Sequence, residues 1–433
     1  MSGVVIVGGG IAGLAAAYEL HKAGRAVTVV EKDRLGGVIR TERHGDLLVE
    51  GGPDSFITVK PWAKELCEEM GLGDQLIPSR SKTVYVWSGG RLHEMPEGVF
   101  LTVPTKIGPF LRTGLISWPG KLRMGLDWIL PRGPEVEDES VASFVRRRLG
   151  REALEKLAEP LMAGIFVASA EELSLRSTFP RFAQMEREHR SLIKALRRVP
   201  PASGGNTSPF VTLRGGMSGL VERLLSKMPG VRFVAGEAEA VEPASEGDLL
   251  GRWKVRVGGE TLAADAVILA VPASVARKFR PELPVVKYVT TSTVSLAYRK
   301  FGTFEGAGFV IPRGEGRKIL ACTWTSNKFE GRAPEGTFLV RCFIKGEAAD
   351  PVAAAREEVR SMLGAPEEPL FARAFTWRDR NPVYEVGHER KIREAEATLP
   401  PGLLLAGSGF HGVGIPDCVK DGRAVARRLV GVL

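Results

Sequence analysis

The feature that most constrains this chain is a glycine-rich turn close to its start. A short apolar strand is predicted at 4–7 and leads into the run Gly8-Gly9-Gly10-Ile11-Ala12-Gly13, after which a helix is predicted to about residue 23. In such a run the first glycine permits a tight turn, the third lets the backbone approach a pyrophosphate, and the last allows close helix packing. The helix N-terminus adds free N–H groups and positive potential. The pattern therefore predicts a Rossmann-like domain that binds a dinucleotide.

The residues that follow favour FAD over NAD as this dinucleotide. A second strand is predicted at 26–30, and Glu31 then stands where a ribose 2′-hydroxyl needs an acceptor. The pair Gly36-Gly37 follows directly, and Gly51-Gly52-Pro53-Asp54-Ser55 provides another tight backbone approach. The alternative is that either stretch is an ordinary surface turn.

A third glycine-rich segment lies towards the other end of the chain. A buried strand is predicted at 403–405 and runs into the turn 406–409, and Gly412-Val413-Gly414-Ile415-Pro416-Asp417 then begins a last helix, predicted to about residue 429. Proline in a first helical turn removes no needed hydrogen bond, so the free N–H groups there can face a ligand. This geometry suits the flavin N1 and C2 carbonyl, which gain negative charge on reduction. The alternative is a closing helix with an ordinary cap.

The composition fits a multidomain enzyme with an acidic small-molecule substrate. The 433 residues are 44% hydrophobic, enough for large cores in two or three domains. The formal net charge of +9 is accompanied by no nucleic-acid-binding module, so no nucleic acid is expected as a partner. The four cysteines are widely spaced without a CxxC pair, which predicts neither a metal site nor a disulfide framework and fits a reducing compartment.

One amphipathic stretch, at 100–130, raises the question of membrane contact. Its apolar residues, among them Trp118 and Leu122, alternate with basic ones such as Lys106 and Arg112. No run of about 18 apolar residues predicts a spanning helix, and the apolar start of the chain is explained without a signal peptide. The stretch fits helices that cover a substrate cavity, which we favour, and it also fits a lipid interface. Most basic residues of the insert, such as the run Arg146-Arg147-Arg148, are predicted to lie on a solvated helix face, and a minority could bind carboxylates of a substrate.

The predicted domains are interleaved along the chain. The fold class is α/β: a Rossmann-like FAD-binding domain, an α+β substrate-binding domain interleaved with it, and a helical insert that covers the cavity or contacts membrane. The FAD-binding domain is predicted at 1–55, 207–274 and 398–433, the substrate-binding domain at 56–90 and 275–397, and the insert at 91–206.

Four motifs carry a resemblance to a known family. They are GPDSF at 52–56, SLRSTFP at 174–180, ACTWT at 321–325 and GVGIPDC at 412–418. Together they resemble the bacterial oxygen-dependent protoporphyrinogen/coproporphyrinogen III oxidases, most closely the coproporphyrinogen-oxidising type of Gram-positive bacteria, over nearly the whole chain. The resemblance implies an amine oxidase/GR2-like flavoprotein fold, noncovalent FAD and a cytoplasmic place in heme biosynthesis.

The resemblance also implies an oxidase in which no side chain is catalytic. The flavin N5 takes hydride from a meso carbon of coproporphyrinogen III, and six electrons pass to oxygen with formation of hydrogen peroxide. Apart from the run at 407–412, which belongs to the C-terminal segment already assigned to the flavin, the chain has no second GxGxxG for a nicotinamide, so oxygen is favoured as acceptor, with quinone left open. Protoporphyrinogen IX is the alternative substrate. An FAD amine oxidase, a carotenoid desaturase and a noncatalytic tetrapyrrole-binding flavoprotein are remoter alternatives, and a downstream heme-pathway enzyme is a further candidate partner.

The expected site residues follow from the glycine segments and from the resemblance. By resemblance, Lys60 is expected to bind a substrate propionate, Gly164 to lie at the substrate, and the backbone at Ala238 to hold the adenine. The expected cofactor-binding residues are Gly8, Gly9, Gly10, Ile11, Ala12, Gly13, Glu31, Lys32, Gly36, Gly37, Val38, Gly52, Pro53, Asp54, Ser55, Ala238, Ser408, Val413, Gly414 and Ile415.

Overall fold

Two seven-stranded sheets organise the chain. The computed structural model describes residues 3–100, 102–198, 208–244 and 252–431. In chain order the strands are β1 (Gly3–Val7), β2 (Val27–Glu31), β3 (Thr41–His44), β4 (Leu47–Glu50), β5 (Phe56–Ile57), β6 (Leu76–Pro78), β7 (Tyr85–Ser88), β8 (Arg91–Glu94), β9 (Val99–Phe100), β10 (Val103–Pro104), β11 (Phe210–Leu213), β12 (Arg232–Ala235), β13 (Ala238–Pro243), β14 (Trp253–Val257), β15 (Glu260–Leu269), β16 (Lys287–Arg299), β17 (Gly308–Val310), β18 (Ala321–Thr323), β19 (Thr337–Lys345), β20 (Phe371–Val383) and β21 (Leu403–Leu405).

The helices flank both sheets and fill the segment between them. A π-helical turn at Leu154–Ala158 joins two of them. In chain order the helices are α1 (Ile11–Lys22), α2 (Trp62–Glu69), α3 (Ile107–Arg112), α4 (Trp118–Gly125), α5 (Val141–Leu149), α6 (Arg151–Ala153), α7 (Glu159–Phe166), α8 (Leu175–Thr178), α9 (Pro180–His189), α10 (Leu192–Arg198), α11 (Ser218–Ser226), α12 (Ala273–Phe279), α13 (Thr325–Lys328), α14 (Pro351–Leu363), α15 (His388–Ala397) and α16 (Ile415–Val430).

The first sheet carries the predicted nucleotide-binding strands. Its order is β12-β2-β1-β15-β14-β13, with β21 paired to β15, and β1 lies in parallel register between β2 and β15. Strand β1 is apolar because both faces of a central parallel strand are buried, and Ile6 is fully enclosed. Helices α1, α11 and α16 cover one face and α12 and α15 the other. The α/β class predicted from the sequence is confirmed.

The second sheet lies between α14 and the helical insert. Its order is β20-β16-β19-β18-β17-β7-β8, and its neighbouring strands are antiparallel except for the parallel pair β17 and β7. Side chains of β19 alternate between the two faces. Val340 and Cys342 belong to the core that includes Val359 of α14, whereas Phe343 packs against the core of the insert. The sheet is thus covered on both faces.

The helices of the insert begin at Ile107 rather than at residue 91, where the insert was predicted to start. Residues 85–94 form the hairpin β7–β8 at the edge of the second sheet. Gly89 and Gly90 both adopt positive φ, +59° and +78°, as a two-residue hairpin turn of this type requires. The start of the predicted insert therefore belongs to a sheet.

Two segments predicted for the substrate-binding domain pack on the first sheet's core instead. Strands β5 and β6 pair with β11, and α2 places Leu66 and Cys67 in the core shared by α1 and α16. Helix α15 places Ile392 in the core on the opposite face of the first sheet. Each amphipathic helix buries its apolar stripe against the nearest core, so the predicted ranges 56–90 and 275–397 each span both domains.

A buried ion pair lies inside the insert. Arg148 and Asp127 have side chains that are 1% and 0% exposed. Arg148 Nε donates to Asp127 Oδ1 at 2.7 Å, and two other guanidinium nitrogens donate to the carbonyls of Pro131 and Arg190, each at 2.7 Å. The prediction of a solvated face is therefore wrong for Arg148, because these partners lie in segments distant in sequence.

The amphipathic stretch at 100–130 divides between core and surface. Phe110 and Met124 are buried in the insert, whereas Trp118, Leu122 and Ile129 are 63%, 72% and 67% exposed. No described helix has the length and apolar character needed to cross a membrane. Packing in the insert core thus accounts for only part of the stretch, and the role in covering a cavity stays a prediction.

Candidate cofactor and substrate site

The turn between β1 and α1 has the geometry of a phosphate site. Gly8 has φ of +109°, and a side chain at Gly13 would place its Cβ 2.0 Å from the Gly8 carbonyl oxygen. A Cβ built at Gly10 instead meets nothing within 4 Å. Gly10 is the N-cap of α1, no side chain caps it, and the first turn holds no acidic residue. Its position therefore leaves room and free N–H groups for a pyrophosphate.

Glu31 lies at the end of β2 with its carboxylate folded back onto the glycine turn. It accepts the N–H of Gly9 at 2.7 Å and that of Asp33 at 2.9 Å, one on each oxygen. Each carboxylate oxygen keeps a further lone pair, so a ribose hydroxyl can be added without breaking either bond. Lys32, also expected at the cofactor, is largely exposed, and its Nζ lies 4.0 Å from Glu237 Oε2.

Ala238, the expected adenine position, lies beside Glu31. The Gly236 N–H donates to the Glu31 carbonyl at 2.9 Å, and Ala238 begins β13 two residues later. A surface depression of about 410 Å³ is lined here by Ala238, Lys278 and Phe279 among others.

The two glycine pairs that follow β2 contact each other and the turn. The Gly36 N–H donates to the Gly9 carbonyl at 2.8 Å, which holds the loop at 36–38 against the glycine turn. A Cβ at Gly52 would lie 1.7 Å from the Val38 carbonyl oxygen, so the loop at 51–55 approaches the first loop as closely as backbone can. Both loops are therefore in tight backbone contact, and their approach to a nucleotide stays a prediction.

The C-terminal segment joins the same site. A Cβ at Gly407 would lie 3.4 Å from the Cβ of Ala12, and one at Gly422 would lie 2.1 Å from the Ala12 carbonyl oxygen. Helix α16 therefore crosses α1 in backbone contact. Gly414 is the N-cap of α16, no side chain caps it, and Pro416 occupies its first turn. The start of α1 therefore meets α16 at Gly422, and neither helix N-terminus is capped by a side chain, although α16 has Asp417 in its first turn.

Tyr384 holds the loop between β21 and α16, a role that the sequence analysis missed. Its hydroxyl donates to the Ser408 carbonyl at 2.7 Å and accepts the Gly412 N–H at 2.6 Å. Its ring stacks on His388 with centroids 3.9 Å apart, and burial lowers the pKa of His388 to about 4. A neutral imidazole thus backs the tyrosine, and Ser408 and Gly412 are fixed relative to each other.

The loop at 51–55 is held from below by buried side chains of the second sheet. The Gly51 carbonyl accepts Thr293 Oγ1 at 2.8 Å and Trp377 Nε1 at 2.8 Å, and Arg341 donates to the Gly52 carbonyl. Arg341 is 3% exposed, and its Nε has no partner among the described residues. Burial lowers the pKa of Arg341. The sequence signal that could have pointed to Arg341 is a basic residue inside an apolar strand.

Charged groups flank the same loop. Lys328 Nζ lies 2.9 Å from Asp54 Oδ2, and Ser55 donates to Asp54 Oδ1 at 2.7 Å. Burial opposes ionisation of Asp54, but the cations of Lys328 and Arg341 hold its pKa well below the usual range. Glu50, just before the loop, differs: burial raises its pKa to about 7, although it accepts hydrogen bonds from Met217 and Thr41.

The two expected substrate residues lie on different elements. Lys60 Nζ lies 2.9 Å and 2.7 Å from the carboxylate oxygens of Asp417, in the first turn of α16, and its side chain is 41% exposed. Gly164 is on α7, where a Cβ would lie 3.4 Å from Val310 Cγ1 of the second sheet. Lys60 therefore lies beside the first turn of α16, and Gly164 lies at the junction of the insert and the second sheet.

The donor chemistry fits a flavin nucleotide held without a covalent bond. The open position at Gly10, at the uncapped N-terminus of α1, fits a pyrophosphate. The Glu31 carboxylate fits a ribose, and the uncapped N-terminus of α16 fits an electron-rich ring edge. Cys418 is 7% exposed, and burial raises the pKa of its thiol to about 12. A buried neutral thiol is a poor nucleophile. Within the described residues no cluster of metal ligands occurs.

Comparison with known proteins defines the class to which this site belongs. A sequence model of the flavin-containing amine oxidoreductases matches residues 11–430. The chain belongs to this family, and its cofactor is FAD.

Three proteins are similar to this chain over nearly its whole length. The coproporphyrinogen III oxidase of Bacillus subtilis (strain 168) is 35% identical, over 97% of this chain and 96% of its own. That of Propionibacterium freudenreichii subsp. freudenreichii is 36% identical, over 99% and 90%. A crystal structure from Exiguobacterium sp. 255-15, provisionally assigned as a protoporphyrinogen oxidase, superposes with a TM-score of 0.89 at 28% identity, covering 99% of both chains.

Proposed function

We propose that the protein oxidises coproporphyrinogen III to coproporphyrin III, with FAD as its redox group and oxygen as final acceptor. The observation that carries the redox part is the convergence of the 8–13, 36–38, 51–55 and 407–415 segments on one site. The substrate is supported by full-length similarity to two bacterial coproporphyrinogen III oxidases. An amine oxidase, a desaturase and a tetrapyrrole carrier are the remoter alternatives.

The cofactor is proposed to lie along the four converging segments. Gly10 and the α1 N-terminus would hold the pyrophosphate, Glu31 the ribose, and the backbone at Ala238 the adenine. Gly414 and Ile415 would place N–H groups at the flavin edge that becomes negative on reduction. The remaining contacts are proposed at Gly8, Gly9, Ile11, Ala12, Gly13, Lys32, Gly36, Gly37, Val38, Gly52, Pro53, Asp54, Ser55, Ser408 and Val413.

Bound FAD would accept hydride equivalents from the macrocycle, and the chain's own residues position and shield that reaction. Arg341, Thr293 and Trp377 fix the carbonyls at 51–52, and Tyr384 fixes the loop at 408–412, so both flanks of the flavin site are rigid. Lys60 keeps one N–H free after its two contacts with Asp417 and would donate it to a substrate carboxylate. Gly164 leaves space where α7 meets the sheet.

The direct test is turnover by protein reconstituted with FAD. Addition of coproporphyrinogen III under air should generate porphyrin fluorescence and, if oxygen is the acceptor, three molecules of hydrogen peroxide for each porphyrin. Faster turnover of protoporphyrinogen IX would select the alternative substrate, and oxidation of amines would select the amine oxidase. Turnover only with added quinone would replace oxygen as acceptor.

Lys60 provides a second test of the same proposal. Lys60→Ala should raise the KM for coproporphyrinogen III more than it lowers kcat, because it removes binding common to ground and transition states. Asp417→Asn is the matched control, since it breaks the ion pair but keeps the lysine. An unchanged KM in Lys60→Ala would remove Lys60 from the substrate site.

We also propose that the reaction takes place in the cytoplasm and that the product passes to a downstream heme-pathway enzyme.

The exposed part of the 100–130 stretch is proposed to dock on anionic lipid. Basic residues such as Lys106 and Arg112 flank Trp118 and Leu122 there. Leu122→Asp should abolish sedimentation with phosphatidylglycerol vesicles. Val285→Asp, at a site of similar exposure, 69% against 72%, should not. Equal sedimentation of both variants would contradict lipid contact.

A further inference from the structure

One face of β19 runs from the loop at 51–55 out to solvent. Residues 341, 343 and 345 point to this face, and exposure increases along it from buried Arg341 through half-buried Phe343 to exposed Lys345. The alternate residues, such as Val340 and Cys342, are buried in the opposite core. Phe343 also packs against the insert, and the Arg341 guanidinium lies 4.8 Å from its ring centroid, so the face offers a half-buried aromatic ring with a cation at its outer rim.

This face lies between the two parts of the molecule assigned to cofactor and substrate. The Gly51 carbonyl is held by Thr293, which pairs directly with Phe343 across β16 and β19. On the other side Phe343 pairs with Ala321, Ala321 pairs with Val310, and Val310 is the residue nearest to Gly164 of α7. Phe343 is thus bracketed by the flavin loop and the insert, and Lys345 lies one step beyond it.

Two other cations at the rim around Lys345 are each paired with a carboxylate. Arg313 Nε lies 3.0 Å from Glu159 Oε1, and Lys287 pairs with Glu172. Lys345 forms no ion pair with any residue that the structure describes. Partial burial lowers the pKa of Lys345, and the charges of Arg313 and Lys287 lower it further, while Glu172 and Glu159 oppose them. An anion bound at Lys345 would relieve the repulsion from its neighbouring cations.

We propose that Lys345, assisted by Arg313, binds a propionate carboxylate of the porphyrinogen at the edge opposite the flavin loop. This inference rests on the proposed function. A lysine ammonium acts as a point charge for carboxylate, and arginine adds a directed donor from its free guanidinium nitrogens. The macrocycle would lie over Phe343 with one propionate at this rim, a contact separate from that proposed for Lys60.

Lys345→Met in the FAD-loaded enzyme should raise the KM for coproporphyrinogen III and the dissociation constant for coproporphyrin III by about five- to tenfold, with kcat little changed. Lys345→Arg should restore most of the binding. Lys227→Met, which removes the same charge from an exposed site at the end of α11, should match the wild type. The tetramethyl ester of coproporphyrin should bind equally to wild type and Lys345→Met.

The outcomes separate this inference from the proposed function. If wild type oxidises coproporphyrinogen III and Lys345→Met shows unchanged KM and binding, the rim site is refuted while the function stands. If wild type fails to oxidise the porphyrinogen, the proposed function fails, and the direct binding of coproporphyrin to the two proteins still decides on Lys345. A Lys345→Met effect that is equally large for the ester would also refute the carboxylate contact.

Discussion

Replacement of Gly10 by alanine should separate folding from cofactor binding. Gly10 has φ −70° and ψ 176°, which alanine adopts without strain, and the new Cβ would meet no protein atom within 4 Å. The added methyl group would instead project where the turn leaves room for a pyrophosphate. The same substitution at Gly13 places a Cβ 2.0 Å from a backbone oxygen and should damage the fold itself.

The expected magnitudes differ clearly. Gly10→Ala loses a little capping preference and restricts the unfolded chain, so the free energy of unfolding of the apoprotein should change by less than about 1 kcal/mol. Gly13→Ala should lower it by about 1–3 kcal/mol or more. For FAD, each displaced hydrogen bond to a charged phosphate is worth about 1.5–3 kcal/mol, so Gly10→Ala should weaken binding by about 10- to 100-fold.

The assay combines urea unfolding of the apoprotein with titration of FAD by fluorescence quenching. Gly108→Ala is the matched control, because Gly108 also has open space around its Cβ position but lies on α3, outside the site. Wild-type affinity in Gly10→Ala would refute the assignment of the turn to the pyrophosphate. A destabilised Gly10→Ala apoprotein would refute the reasoning from open space.

Three further substitutions test the buried groups. Tyr384→Phe keeps the ring stacked on His388 but frees the Gly412 N–H, so the free energy of unfolding should fall by about 1–3 kcal/mol and FAD should bind more weakly in titrations; unchanged values would contradict its bridging role. Burial raises the pKa of Glu50 from 4.5 to about 7, so this carboxyl is protonated more readily in the folded protein than in the unfolded chain. The wild type should therefore lose about 3 kcal/mol of stability as the pH rises from about 4.5 to 7. Glu50→Gln should lack this loss in urea unfolding at pH 5 and pH 8, and parallel behaviour of the two proteins would contradict the raised pKa. Arg148→Met should cost about 3–5 kcal/mol by leaving Asp127 buried without its partner, with partial recovery in the double variant Arg148→Met/Asp127→Leu; a cost below about 1 kcal/mol would contradict the buried pair.

The nucleotide half of the fold was predictable because its information is local. The positions of glycines in the 8–13 run specify turn, helix packing and open space within a few residues, and each of these features is present. The Gly89-Gly90 hairpin was equally local, but the prediction of a helical insert from residue 91 overlooked it. Local backbone patterns thus explain why the nucleotide-binding elements were predicted correctly, and they would also have prevented the error at residue 91.

The supporting side chains were not predictable in the same way. Arg341 reaches the Gly52 carbonyl only because β19 and β16 pair in one register, and Tyr384 reaches Ser408 only because β20 ends beside the loop after β21. Arg148 looked like one of three solvated arginines because its partner Asp127 lies in another segment. Contacts of this kind depend on long-range geometry, which residue type and spacing do not encode.

The backbone contact between Gly422 and Ala12 has a consequence for synthesis in the cell. The helix that presents the first glycine turn is held in place by a segment that is synthesised long after it, so the nucleotide cradle is complete only once α16 has been made. A chain cut before α16 should therefore fail to retain flavin.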